Sequence, residues 1–462
     1  MSQDAGHVFD PTILREYDIR GIVGETLGPA DALALGRAYA AMVTATGGRR
    51  VCLGYDGRLS SPELAQALAE GLGQGGVDVL AIGRGPTPMM YFSVYHLEAD
   101  GGLQVTGSHN PPSHNGFKLM IGTKPLYGEQ IQELGRIAAK ASFTDGEGAR
   151  IDQPLLGAYV DRLVQDFVPG RPLHVVWDAG NGATGEALTA MTARLPGRHT
   201  LLFAEIDGRF PNHHPDPTIP ENLEDLIRTV RAEGADLGIA FDGDGDRIGV
   251  VDDRGRILYG DQIMQILAAD VLSRHPGSPI LADVKTSQAV FDEIERLGGN
   301  PIMGKTGHSL MKVAMVETGA PLAGEMSGHI CFADGFYGYD DAMYVAIRLL
   351  GILGQSEDTL AQRRDRMVSM INTPELRFDC PDDLKFSVID RVKNKLAADG
   401  AKVNAIDGVR VSTGDGWWLL RASNTQAVLV ARAEARDQEG LDRLKKQISE
   451  YLREAGVEPP TF

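Results

Sequence analysis

Short apolar runs alternate with amphipathic stretches through most of the chain. Residues 51–55, 77–82 and 102–105 are apolar runs of strand length. Between the first two, Ser61-Pro62-Glu63 supplies an N-cap, a proline at N1 and an acid in the first turn, which predicts a helix running to Gln74. A further strand is expected at 117–121. Strand-helix alternation of this kind predicts a mostly parallel sheet covered on both faces. The pattern then repeats. A unit opening near Gln153-Pro154 carries strands at 173–177 and 237–241, and a unit from about Asp261 to Gln362 carries a strand at 280–284 and a helix after His308. From about Thr373 the character changes, with two short strands expected within 403–418 and a closing helix at 438–453. The first three units are alike in element order, without a repeat in the letters.

Composition narrows the class. A chain of 462 residues exceeds a single core, and 43% hydrophobic with 23% charged residues describe a globular protein. The net charge of -18, with no Lys/Arg-rich run to offset it, argues against nucleic acid as a partner. It leaves room for a small anionic substrate at a local basic site. Cys52, Cys331 and Cys380 form no CxxC pair, which excludes a disulfide framework or cysteine zinc site and fits a reducing compartment. No apolar leader opens the chain and no run of about 20 apolar residues follows, so a cytoplasmic protein without a membrane partner is expected.

Several loops carry candidate chemistry. Thr106-Gly107-Ser108-His109-Asn110-Pro111-Pro112 follows a strand and halts at two prolines, presenting Ser108 beside an imidazole and an amide. Such a serine suits a nucleophile or the carrier of a transferable group, and the same letters also suit a plain turn. Asp242-Gly-Asp244-Gly-Asp246-Arg247 follows the apolar strand 237–241. Carboxylates at i, i+2 and i+4 repel one another unless a cation lies among them, and all-oxygen ligation suggests Mg²⁺ or Ca²⁺. An EF-hand is disfavoured, because its sixth position is Arg247 where glycine is required and its twelfth is Asp253. Gly180, Gly182 and Gly185, after the strand 173–177 and with Glu205 further on, match a dinucleotide-binding fingerprint. The competing reading is a tight strand-helix turn. Pro211-Asn-His-His-Pro215 reads as a loop, not a metal site. Glu325, Ser327 and His329 on a glycine-flanked loop suit a polyol or acid-base work, and Arg421-Ala-Ser423-Asn424-Thr425 suits a phosphate.

Taken in order, T-G-S-H-N-P-P, D-G-D-G-D-R, G-E-M-S-G-H and R-A-S-N-T, with Glu16-Tyr17-Asp18-Ile19-Arg20-Gly21 near the start, resemble the α-D-phosphohexomutase family. The likeness is to its bacterial-type phosphomannomutase/phosphoglucomutase branch and covers nearly the whole chain. It implies an α/β protein of four domains around a central cleft. The first three share a mixed-sheet topology and the fourth is a smaller α+β domain. The expected divisions are 1–153 with the phosphoserine loop, 154–256 with the metal loop, 257–368 with the sugar loop and 369–462 with the phosphate loop.

The implied reaction is reversible interconversion of hexose 1-phosphate and hexose 6-phosphate, for mannose and glucose. It runs through a phosphoserine at Ser108 and a 1,6-bisphosphate, with glucose 1,6-bisphosphate as activator and the enzyme acting as a monomer. By the resemblance Ser108, Asp242, Asp244 and Asp246 hold Mg²⁺. Arg20, His109, Lys118 and Arg247 surround the transferring group. Glu325, Ser327 and His329 grip sugar hydroxyls, and Arg421, Ser423, Asn424 and Thr425 anchor the distal phosphate. Tyr17, Lys285 and His308 line the cleft, and the Gly180 turn is structural. Lys118, His308 and His329 remain candidates for the general acid/base. The alternative is phosphoglucosamine mutase, whose loops typically read G-E-Q-S-G-H and S-G-T. One departure stands out: Gln426 and Ala427 follow Thr425 where the family usually places a proline, which is expected to loosen that loop.

Overall fold

The computed structural model describes residues 6–424 and 426–460. They form sheets of seven, five, four and six strands. In the first, Gly101–Val105, Arg50–Tyr55, Asp78–Arg84 and Arg150–Asp152 run parallel. His114–Ile121 and then Ile19–Ile22 add antiparallel strands at one side. The second sheet repeats the plan, with Leu237–Phe241, Leu173–Asp178 and Gly197–Leu202 parallel and Ile248–Asp252 antiparallel. The third does so with Asn300–Gly304, Pro279–Asp283 and Leu322–Gly324 parallel and Ile330–Phe332 antiparallel. The expected mostly parallel sheets are therefore mixed, as the family resemblance implied. A parallel strand buried on both faces reads as a near-continuous apolar run, which is why Leu237–Phe241, buried throughout, stands out in the sequence.

The last sheet is antiparallel, ordered Ile371–Asn372, Val428–Ala435, Gly416–Ala422, Val409–Ser412 and Lys402–Asn404, with Leu376–Asp379 also paired to Val428–Ala435. Helices Asp382–Ala398 and Gln438–Glu454 pack against it. Three strands therefore occupy the stretch where two were expected; the turns at 405–408 and 413–415 are short enough to hide the third. A second correction concerns the helix Ser61–Gln74. Its N-cap is Ser60, not Ser61; the Ser61 hydroxyl is engaged elsewhere, donating to Asp56 Oδ1 (2.5 Å) and accepting from Asn115 Nδ2 (2.9 Å).

The hydrophobic core binds the first three sheets together. One continuous cluster runs from Met90 and Phe92 through Trp177 and Phe241 to Ile280, Phe332 and Leu350. The fourth sheet has its own core around Trp418, Leu420, Leu429, Leu444 and Ile448, joined to the rest by a small apolar patch of Val284, Trp417 and Leu419. The first three sheets thus share one core, the first adding a cluster of its own around Leu35, Leu68 and Leu103, and the fourth is attached to them. No helix among the described residues is long and apolar enough to cross a membrane.

Trp177 is fully buried and stacks on Phe241 with ring centroids 6.1 Å apart. Trp177→Ala should destabilise the three-sheet body by about 3–5 kcal/mol. In urea titrations, a Trp418-centred fluorescence transition that keeps its midpoint in this variant would show that the fourth core unfolds separately. A shared shift would show that it does not.

Candidate active site

Three of the four candidate loops occupy the same place in their sheets. Residues 106–113, 242–247 and 325–329 each join a parallel strand to the antiparallel strand that follows it. The carboxyl ends of parallel strands are where open α/β sheets place ligands. Contacts between the loops bring these ends together.

Ser108 is 2% exposed and adopts a left-handed backbone conformation, φ +48°. Its Oγ donates to Asp242 Oδ2 at 3.0 Å and lies 3.0 Å from His109 Nδ1. Burial, then Arg247 and Arg20, holds the His109 imidazole well below its ordinary pKa, so it is neutral at pH 7. Arg20 approaches from the neighbouring strand, its Nη1 donating to Asn110 Oδ1 (3.0 Å) and its Nε to Asp18 (2.7 Å). The acidic loop lies directly against the serine loop: a Cβ on Gly243 would meet the Ser108 carbonyl oxygen at 2.4 Å.

Asp242, Asp244 and Asp246 are all completely buried. Asp242 Oδ1 accepts from the backbone N–H groups of Gly245, Asp246 and Arg247 (3.0–3.1 Å). Lys118 Nζ donates to Asp244 Oδ2 (2.8 Å) and to Asp246, and Thr87 Oγ1 donates to Asp244 (2.5 Å). Burial and the two neighbouring carboxylates push Asp242 well above the usual carboxylate range. For Asp246, burial acts in the same sense but is outweighed by Lys118 and His329, which hold it low. Asp244 Oδ1 and Asp246 Oδ1 are buried and accept no hydrogen bond, although His329 Nε2 comes within 3.4 Å of the latter. One oxygen from each of the three carboxylates lies within 4.8 Å of the others. Orphaned, converging, all-oxygen donors fit a hard divalent cation.

Arg247 leads into the next group, its Nε 3.2 Å from His329 Nε2. Glu325 backs the other side of that ring, with Oε2 2.8 Å from His329 Nδ1, while Oε1 accepts from Gly307 N (2.6 Å). Ser327 Oγ lies 3.2 Å from His329 Nδ1. Burial and Arg247 oppose a charge on His329, but Asp246 and Glu325 prevail and raise it to about 9. Burial would raise Glu325, yet His329 and Lys285 bring it down to about 2. His308, stacked on His329 at 5.3 Å, heads the helix His308–Thr318, and burial and Lys312 lower its pKa. Behind it stand Lys312, which donates to Asp340 (2.7 Å), and Tyr91, whose OH accepts from Lys312 (3.2 Å). Neither Lys312 nor Asp340 belongs to a recognisable motif, and sequence reasoning missed both.

The remaining expected residues lie further round the cleft. Arg421 Nε donates to Asp407 (3.1 Å). Asn424 Nδ2 donates to the Tyr17 hydroxyl (2.7 Å), which donates in turn to the Thr306 carbonyl (2.9 Å), so Tyr17 links the first, third and fourth sheets. Ser423 Oγ accepts from Gln426 N (3.2 Å); Thr425 lies outside the described residues. Gln426, standing in the region of the missing proline, is tied by Arg377 to its side chain (2.8 Å) and by Lys385 to its carbonyl (3.0 Å). Lys285 donates to Glu375 Oε2 (3.0 Å). Glu375 was also missed, having no motif of its own.

The glycine-rich turn faces protein. A Cβ on Gly182 would meet Gly243 O at 2.9 Å, and one on Gly185 would meet Ala204 O at 2.0 Å. These glycines let the turn pack on the acidic loop and on residue 204. His213 binds Asp178 (3.0 Å) from a loop, as expected of that segment.

Four family models match the chain in order: "Phosphoglucomutase/phosphomannomutase, alpha/beta/alpha domain I" at 11–145, domain II at 157–255, domain III at 259–370 and the C-terminal domain at 375–451. The chain belongs to the phosphoglucomutase/phosphomannomutase family. Among its relatives in this family, a phosphomannomutase/phosphoglucomutase of Pseudomonas aeruginosa is 43% identical over 453 residues, 98% of each chain. A phosphoglucomutase of Neisseria gonorrhoeae is 44% identical over 444 residues, 95% of this chain and 96% of its own. A crystal structure of a phosphoglucomutase/phosphomannomutase family protein from Burkholderia thailandensis superposes with a TM-score of 0.93 at 43% identity, covering 98% of this chain and 99% of that one.

Asp244→Asn and Asp246→Asn should each weaken divalent-cation binding tenfold or more, about 1.4 kcal/mol, in calorimetric titrations with Mn²⁺. Unchanged affinity in both would remove these carboxylates as the cation site.

Proposed function

We propose that the protein interconverts hexose 1-phosphate and hexose 6-phosphate reversibly, with mannose and glucose as sugars, through a phosphoserine at Ser108 and a 1,6-bisphosphate. The observation that carries this reading is the position of Ser108: its Oγ is 3.0 Å from Asp242 in a buried set of three carboxylates, flanked by Arg20, Lys118 and Arg247. Phosphoryl transfer needs charge neutralisation and in-line positioning more than covalent chemistry. Mg²⁺, for which the orphaned oxygens of Asp244 and Asp246 are suited, would be held by the three aspartates and Ser108 and would neutralise phosphoryl charge when bound.

The chain's own groups carry the steps. The sugar hydroxyl attacks the phosphorus of phosphoserine, its bond to phosphorus forms as the P–Oγ bond breaks, and the proton the hydroxyl gives up balances the one Ser108 Oγ takes on. His109 Nδ1, 3.0 Å from that oxygen and neutral, is placed to share it. Return transfer from the other end of the bisphosphate regenerates the phosphoserine, and glucose 1,6-bisphosphate would prime it. Glu325, Ser327 and His329 would hold sugar hydroxyls; Arg421, Ser423, Asn424 and Thr425 would hold the distal phosphate, with Lys285 and Tyr17 beside them. Of the three candidates, His308, whose pKa burial and Lys312 lower, is free to take the hydroxyl proton, while Lys118 and His329, held charged by their carboxylate neighbours, could only give one. The site proposed here calls on no residue of a second copy, and we read the protein as acting as a monomer. The separate fourth core and the Tyr17 link support closure of that domain over the cleft, excluding water from the phosphoserine.

The test is ³¹P NMR with Mg²⁺ and a trace of glucose 1,6-bisphosphate. Mannose 1-phosphate and glucose 1-phosphate should give 6-phosphate signals and glucosamine 1-phosphate should not. Conversion of the amino sugar alone would assign the protein to phosphoglucosamine chemistry. Ser108→Ala should lower kcat by at least about 10⁴-fold; full activity in that variant would sink the phosphoserine mechanism.

A further inference from the structure

Arg58 is 1% exposed, yet nothing in the proposed reaction uses it. It follows the strand Arg50–Tyr55 in the turn Asp56-Gly57-Arg58. Its Nη1 donates to the carbonyls of Pro111 (2.6 Å) and His114 (2.9 Å), and its Nη2 to those of Ser108 (2.8 Å) and Asn110 (2.6 Å). All four acceptors belong to the serine loop or its exit. Asp56 braces the arrangement: Oδ2 lies 3.3 Å from Arg58 Nε and accepts from Gly107 N (3.1 Å), while Oδ1 accepts from Arg58 N (2.9 Å). One planar guanidinium therefore organises a loop whose own backbone bonds are sparse, namely Asn110 N to Gly107 O (2.9 Å) and His114 N to Pro111 O (3.0 Å).

Two further contacts show how closely the fork is fitted. A Cβ at residue 107 would meet Arg58 Cζ at 2.4 Å, so Gly107 leaves room for the guanidinium to lie against the chain. The Phe210 ring, from the second sheet's loop, lies with its centroid 5.1 Å from Cζ. Arg58 thus ties the serine loop to the loop after Gly197–Leu202, whose Pro215 carbonyl accepts from Gly243 N of the acidic loop (3.1 Å). Ser108 is held at φ +48°, a conformation L residues seldom adopt without outside support, and one of the four carbonyls is Ser108's own.

We infer that Arg58 is a positioning residue for phosphoryl transfer at Ser108: by fixing four carbonyls it keeps the loop in the left-handed form that aims Ser108 Oγ at Asp242. The inference rests on the proposed role of Ser108 as phosphate carrier. A lysine cannot replace it, because an ammonium is a point charge with three donors and no planar fork. Transfer from a phosphoserine is in-line, and a displacement of about 1 Å at such a centre costs about 10²-fold in rate.

The experiment measures loading of Ser108 from glucose 1,6-bisphosphate by intact-protein mass spectrometry, alongside kcat and KM for glucose 1-phosphate, in wild type, Arg58→Lys and Arg58→Ala. In Arg58→Lys, loading rate and kcat should fall together by about 10²-fold, with KM within about twofold, since the sugar and distal-phosphate groups are untouched. Millimolar guanidinium should restore part of the loading rate of Arg58→Ala, and sodium chloride at the same ionic strength should not. Should Arg58→Ala fail to fold, Arg58→Lys decides alone. Wild-type loading in Arg58→Lys, or a loss confined to KM, overturns the inference and leaves the role of Ser108 standing. Absence of loading in the wild type overturns both.

Discussion

Three buried carboxylates within one pentapeptide impose the constraint on which the site depends. Asp242, Asp244 and Asp246 sit in a region of low dielectric, where like charges a few ångströms apart cannot all persist without cations. The chain answers with Lys118 from the first sheet, with three backbone N–H groups pointing at Asp242, and with Arg247 at the loop's end. The first and last of these pin one sheet to another, Lys118 joining the first to the second and Arg247, beside His329, the second to the third. The acidic loop is thus a fastener between domains as well as a candidate cation site, and the serine loop is drawn against it closely enough that Gly243 has no room for a side chain.

The fastener works because the first three sheets share one plan. In each, a parallel strand ends in a functional loop and returns as an antiparallel strand, so serine, carboxylates and sugar-loop residues emerge at equivalent points. A common core from Met90 to Leu350 keeps those points fixed relative to one another. The fourth sheet, with its own core and a small apolar contact, brings Arg421 and Asn424 to the same cleft on a more separable body. A rigid reaction centre with an attached, separately cored anchor suits chemistry in which an intermediate must turn around without leaving.

Much of the chemistry was legible in the sequence because each loop declares itself locally. Residue types at short spacing carry their own electrostatic meaning: alternating aspartates imply a cation, and a serine before two prolines implies a presented hydroxyl. The same local reasoning raised a dinucleotide site at Gly180, Gly182 and Gly185, where the glycines face Gly243, Ala204 and Pro215 instead. A glycine's absence of side chain says that something approaches closely, but not what. Ser61 shows the matching error for a polar residue: its hydroxyl was free to cap the helix in sequence terms, and Asp56 claimed it in the fold.

The sequence by itself determined the fold class, the family and which residues to propose for the site, since these rest on periodicity and on motifs a few residues long. Tertiary structure decided the partnerships: Lys118 with Asp244 and Asp246, Lys312 with Asp340 and Tyr91, Lys285 with Glu375, and Arg58 with the carbonyls of the serine loop. Most of these pairs join residues far apart in the chain, and Arg58's acceptors are backbone atoms that every residue possesses. The protonation states follow from the same partnerships. His109 is held neutral and His329 charged by the neighbours that packing supplies, because a buried group's charge is set by what surrounds it in space and not by the letters beside it.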